Sequence, residues 1–100
     1  MDPIIVSLRG EFGAARQREL RRALKPAYSC RRAVVDLSSV AYADSICLCE
    51  FTRLRQARAR AGLQPAYFVL DEDRFGRLFR FLGLHEVLPV VQDADVLRSA

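Results

Sequence analysis

The stretch from Ala33 to Phe51, AVVDLSSVAYADSICLCEF, constrains the fold more than any other part of the chain. Ala33-Val34-Val35, carried on to Leu37 past Asp36, is β-branched and too short for a helix, which predicts a buried strand. Ser38-Ser39 reads as a polar turn, followed by a half-apolar loop to Ala43. Asp44-Ser45 then stands directly before a long helical pattern. Short side-chain oxygens of this kind accept from the free N–H groups of a helix start, so the pair predicts a capped N-terminus. The result is strand, loop and capped helix, with polar side chains presented where strand hands over to helix. In α/β folds that junction is a usual place for function.

Elsewhere the chain repeats this alternation. Ile4 to Leu8 predicts a first strand, closed by Arg9-Gly10. Ala14 to Leu24 predicts a helix, with Ala23 and Leu24 following Leu20 at i+3 and i+4 and Pro26 stopping it. Tyr28 to Arg32 is connector. Ser45 to Ala61 predicts a helix of four to five turns ending at Gly62, a natural residue for the position after a helix. Leu48, Phe51, Leu54 and Ala57 make its apolar stripe, with Arg53, Gln56 and Arg60 off it. Gln64-Pro65 leads into a strand from Ala66 to Leu70. Asp71 then caps a helix whose Phe75, Leu78, Phe79 and Leu82 follow i, i+3, i+4, i+7, and Gly83 ends it with Leu84 folding back. Val87 to Val91 predicts a short strand, placed at a sheet edge by Pro89, before a last helix from Asp93 to Ala100. Strands alternating with helices predict βαβ units and right-handed crossovers. The expected fold is α/β: one compact domain over residues 1–100, a mostly parallel four- to five-stranded sheet and about four helices.

Several function classes are disfavoured by what the chain contains. Its 100 residues suffice for one core without staples, and 51% apolar with 28% charged residues is an ordinary globular balance. No apolar run reaches the ~18–20 residues of a membrane span. Met1-Asp2-Pro3 does not open like a signal peptide, and three cysteines with no C-x-x-C predict reduced thiols in a cytoplasmic protein. There is no G-x-S-x-G elbow, no Walker loop and no G-x-G-x-x-G, and His85 is the single histidine. Asp36 and Asp44 read as turn and cap residues. The expectation is therefore no enzyme, no cofactor and no metal. Arg16, Arg18, Arg21, Arg22 and Lys25 give the first helix a basic face, and the net charge is +4. Glu19 sits among these bases and few aromatics are interleaved with them, so a solvated face is expected ahead of a nucleic-acid or acidic-membrane surface.

VVDLSSVAYADSICL resembles the signature segment of STAS domains, and more narrowly that of bacterial anti-sigma-factor antagonists. Those typically show an apolar strand ending in Asp-Leu-Ser, an apolar loop, and Asp-Ser-Ser-Gly-Leu-Gly at a helix start. Gly10-Glu11-Phe12 is similar to the Gly-Glu-Leu of the family's first strand, with Gly13 where an Asp often follows. FRFLGLHEVLPVV is similar to its ending, so the likeness spans about nine-tenths of the chain. The resemblance implies a binding surface at Asp44, Ser45, Ile46, Cys47 and Leu48. It sets Asp44 and Ser45 on the motif's Asp and first Ser, and Ile46 on the hydroxyl that a combined anti-sigma factor and serine kinase phosphorylates. Cys47 and Cys49 then fall on the two glycines and Leu48 on the Leu. Isoleucine cannot take a phosphate, so the frame matches while the chemistry departs.

Two functions follow from this likeness. One is a permanently unphosphorylated antagonist that docks an anti-sigma factor or related kinase-like regulator, with Ser45 open as either a cap or a displaced phosphosite. The other is a scaffold, such as the STAS partner of an ATPase subunit in a phospholipid-trafficking ABC transporter or a subunit of a larger signalling complex. Cys47, in the first turn of a helix, is open to two readings: an activated thiol or a buried, inert one.

Overall fold

A computed structural model of the protein describes residues 3–70 and the backbone of Val90 and Val91. The elements are β1 (Ile4–Phe12), α1 (Gln17–Leu24), β2 (Ala33–Ala43), α2 (Ser45–Arg60), β3 (Tyr67–Val69) and β4 (Val90–Val91). Among the described residues all strands pair in parallel in the order β1-β2-β3-β4. The expected α/β fold with a parallel sheet is observed, four strands of it among the described residues. The expectations for Asp71 to Pro89, including the helix through Leu82 and the setting of His85, lie outside the described residues, as does the helix from Asp93.

Both helices cover one face of the sheet. Leu20 and Leu24 from α1 join Leu48, Phe51 and Leu54 from α2 in a single buried cluster with Val6, Leu8, Val35, Leu37 and Phe68. The Phe51 and Phe68 rings meet edge to face at 5.4 Å, joining α2 to β3. Val34 and Val69 are also buried but lie outside this cluster, on the alternate positions of their strands. Burial of β2 on both sides accounts for its near-continuous apolar run.

Three boundaries differ from the sequence expectation. Ser38-Ser39 is no turn, since β2 runs unbroken to Ala43. Its pairing with β1 shifts twice, between Ser7 and Arg9 and between Gly10 and Glu11, and each shift gives β2 one extra residue. The inward positions therefore run Ala33, Val35, Leu37, Val40 and Ala43, and two steps of three replace the usual two. The first bulge is closed locally by Asp36, whose Oδ1 accepts from the Ser38 amide at 3.0 Å and the Ser38 hydroxyl at 2.6 Å. For the same reason β1 does not stop at Arg9-Gly10 but continues to Phe12, with Gly10 at φ 90° beside the second shift. The first helix ends at Leu24 as expected, but its α-helical part begins only at Gln17, after a 3-10 turn over Ala14–Arg16. The chain tightens into a 3-10 turn over Lys25–Tyr28, in which Pro26 occupies an early position that needs no amide donor.

Candidate functional site

The junction of β2 and α2 is held from three sides. The Asp44 amide donates to the Phe12 carbonyl at 3.0 Å, tying the loop to the end of β1. Its Oδ1 accepts from the Cys47 amide at 3.0 Å and its carbonyl from the Leu48 amide at 3.0 Å, the geometry of an N-cap. Arg16 steadies the end of β1 from the other side. Its guanidinium donates to the Glu11 carbonyl at 2.6 Å, lies 4.2 Å over the Phe12 ring, and pairs with Glu19 at 2.7 Å.

This frame sorts the five predicted site residues into two groups. Asp44, Cys47 and Leu48 serve the interior. Cys47 is fully buried, and its thiol donates to the Gly13 carbonyl at 3.4 Å. Burial, followed by the neighbouring Asp44 carboxylate, pushes that thiol up to about 11, the direction that disfavours a reactive thiolate. Ser45 and Ile46 face solvent. Asp44 makes the cap alone, while Ser45 is the first helical residue, leaving no capping task for its hydroxyl. Ile46 is 46% exposed, an unusual position for a large apolar side chain, and Tyr42 at the end of β2 is similarly open. Cys49, one turn on from Ser45 and Ile46, is exposed on the same side of α2. The surface here is a partly apolar knob on a rigid base.

Two buried charged residues support this base, and neither was singled out from the sequence. Glu50 is 1% exposed and accepts from the Gln17 side-chain Nε2 at 2.9 Å and the Arg21 guanidinium at 2.8 Å, joining α2 to α1. Arg21 first, and then Gln17, hold its carboxyl below the ordinary range against the opposing pull of burial. Arg58 is wholly buried among carbonyls. It donates to Gln64 (2.8 Å), Ala27 (2.7 Å), Cys30 (2.8 Å) and Arg31 (3.1 Å), so one side chain on α2 pins the segments entering β2 and β3. A signal for Arg58 exists in the sequence, since it follows Leu54 by four and Phe51 by seven and so falls on the apolar stripe. Beyond Arg58, α2 closes on Gly62 at φ 74°, with the Leu63 amide returning to Arg58 O and the Gly62 amide to Ala59 O. Among the described residues no group of acidic, histidine or cysteine side chains is arranged to hold a metal ion, and no helix is long and apolar enough to cross a membrane.

Against known proteins, a family profile described as "Mlab, STAS domain" matches residues 2–92. Among solved structures the chain is similar to a proposed anti-sigma-factor antagonist of Thermotoga maritima. That crystal structure aligns at a TM-score of 0.71 and 14% identity, over 93% of this chain and 83% of the other. No curated protein matches the chain in sequence.

Proposed function

Because the chain belongs to the STAS domain family, we propose that it is a non-enzymatic, cytoplasmic regulatory domain that docks a protein partner through the start of α2, in the manner of an anti-sigma-factor antagonist, without a phosphorylation switch. The observation that carries this reading is the exposed Ile46 in the first turn of α2. It stands where the family likeness expects the phosphorylated hydroxyl. A phosphate there would add about −1.5 to −2 charges and three acceptor oxygens. A helix N-terminus accepts such charge within its own domain, but a partner surface shaped for a neutral group does not. With isoleucine the charge never arrives. The partner, an anti-sigma factor or related kinase-like regulator, then meets a surface fixed in its unphosphorylated state, and control falls to expression or to a competitor.

Ser45, next to Ile46, is a hydroxyl that could carry a displaced switch, since it is exposed and free of the cap. A scaffold role beside the ATPase subunit of a phospholipid-trafficking ABC transporter needs no hydroxyl at position 46 and is the second reading. The deciding experiment is capture of the tagged domain's native partner from its own cell extract, with the intact mass of the recovered domain measured alongside. A kinase-like partner with the domain at unmodified mass supports the constitutive antagonist. Phosphate on Ser45 replaces it with a switch displaced by one residue, and a transporter ATPase replaces it with the scaffold.

A further inference from the structure

The first turn of α2 rests on two backbone carbonyls where β1 ends. The Asp44 amide donates to the Phe12 carbonyl and the Cys47 thiol to the Gly13 carbonyl, so the turn that presents Ser45 and Ile46 follows wherever Phe12 and Gly13 lie. The ladder that fixes those two residues is interrupted. β1 and β2 shift register twice between Ser7 and Glu11, with Gly10 at φ 90° beside the second shift. Bulges bend a strand and leave residues unpaired, so pairing alone holds the end of β1 less firmly than an unbroken ladder would. Arg16 touches each of the three residues concerned. Its Nη1 donates to the Glu11 carbonyl at 2.6 Å, its guanidinium lies 4.2 Å over the buried Phe12 ring, and its backbone amide donates to the Gly13 carbonyl at 2.9 Å. Glu19 sets the plane of the fork. Its two oxygens accept from Nε at 2.7 Å and Nη2 at 3.0 Å, which leaves Nη1 for Glu11. The Arg16 charge also reaches the site itself, drawing the Cys47 thiol down against the larger effect of burial.

We propose that Arg16 is a positioning residue for the start of α2, fixing through Glu11, Phe12 and Gly13 the carbonyls on which Asp44 and Cys47 rest, and with them the presentation of Ser45 and Ile46. That these two side chains meet a partner rests on the docking reading given above; Arg16 needs no contact with that partner. An exposed Arg–Glu pair adds little to stability on its own. The value of this one lies in where the guanidinium is held, because a binding surface is only as well defined as the residues that support it. The task requires a planar fork that serves a carboxylate with two nitrogens, a carbonyl with the third and an aromatic face at once. Lysine carries the same charge on a compact head and cannot do all of this.

The test compares the full chain with its Arg16→Lys and Glu19→Gln variants by amide hydrogen exchange, with urea unfolding alongside. In Arg16→Lys the Asp44 and Cys47 amides should exchange at least about fivefold faster, while the Leu54 amide inside α2 and the urea midpoint stay at their wild-type values. Glu19→Gln keeps an acceptor for the fork and should raise the same two amides by a smaller factor. Iodoacetamide should reach Cys47 faster in step with that exchange, with exposed Cys49 as the unchanged internal reference. A purely structural role would instead raise all amides together as the midpoint falls. Exchange at Asp44 and Cys47 that is unchanged, or that rises by the same factor as at Leu54, would overturn the proposal. The docking reading is tested separately by titrating the protein captured from cell extract, which should bind Arg16→Lys at least about threefold more weakly. Undiminished binding beside faster local exchange would support the positioning of α2 and count against docking through Ser45 and Ile46.

Discussion

Replacing Arg58 with methionine keeps a side chain of similar reach in the core and removes every donor that Arg58 supplies. Four carbonyls then lose a charged partner: those of Ala27, Cys30, Arg31 and Gln64. Hydrogen bonds to a charged group contribute about 1.5–3 kcal/mol each, but burying a guanidinium costs several kcal/mol, so the bonds do not sum. Each carbonyl left buried and unpaired costs about 1–3 kcal/mol, partly offset by the guanidinium no longer being buried, so the domain should lose about 4 kcal/mol. A domain of this size holds about 5–15 kcal/mol in total, so the variant retains a fold with a much reduced margin. Its melting midpoint should fall by about 15–30 °C. Arg58→Lys keeps the charge on a compact head that cannot span four acceptors, and should cost about half as much. Urea unfolding of the three proteins reads these differences directly. Carbonyl acceptors do not titrate, so the gap between wild type and Arg58→Met should stay constant between about pH 5 and 8. A loss under about 1 kcal/mol for the methionine variant would refute the claim that Arg58 clamps the connections into β2 and β3.

Three further outcomes are expected. Glu50 titrates below its ordinary value of 4.5 in the folded protein, so the stability it confers is complete above that value and is lost as pH falls through the depressed one. The advantage of wild type over Glu50→Gln in urea should therefore shrink in acid and hold steady from pH 6 to 8; an unchanging gap down to pH 3 would contradict the pairing with Arg21. Iodoacetamide at neutral pH should modify exposed Cys49 well before buried Cys47, read by peptide mass mapping, and comparable rates would show that Cys47 is not held as described. Asp44→Ala should cost about 1 kcal/mol through loss of the cap on the Cys47 amide, and a neutral substitution would return the capping task to Ser45.

The sequence carried the parallel sheet, the two helices and the glycine stop after α2, because apolar periodicity and end signals are local properties. It misread the course of β2 past Leu37, since a bulge replaces the period of two with a step of three and two serines then look like a turn. At the candidate site it placed the helix start correctly but assigned the cap to a pair of residues. Which of Asp44 and Ser45 turns inward depends on the Asp44 amide meeting Phe12, a contact 32 residues distant in the chain. Glu50 and Arg58 escaped for a related reason. A charged residue on an apolar stripe reads as an interruption until its partners, supplied by α1 and the β2 and β3 connections, are brought alongside.

The central claim is that a neutral, exposed Ile46 makes the start of α2 a permanently competent docking surface. It is tested most directly by titrating the partner recovered from cell extract against wild type, Ile46→Ser and Ile46→Asp, all three first shown to be folded. Wild type and the serine variant should bind within a few-fold of each other, while the aspartate, a fixed charge at the contact, should bind at least about tenfold more weakly. Equal binding by all three would place the docking surface elsewhere on the domain and contradict the account.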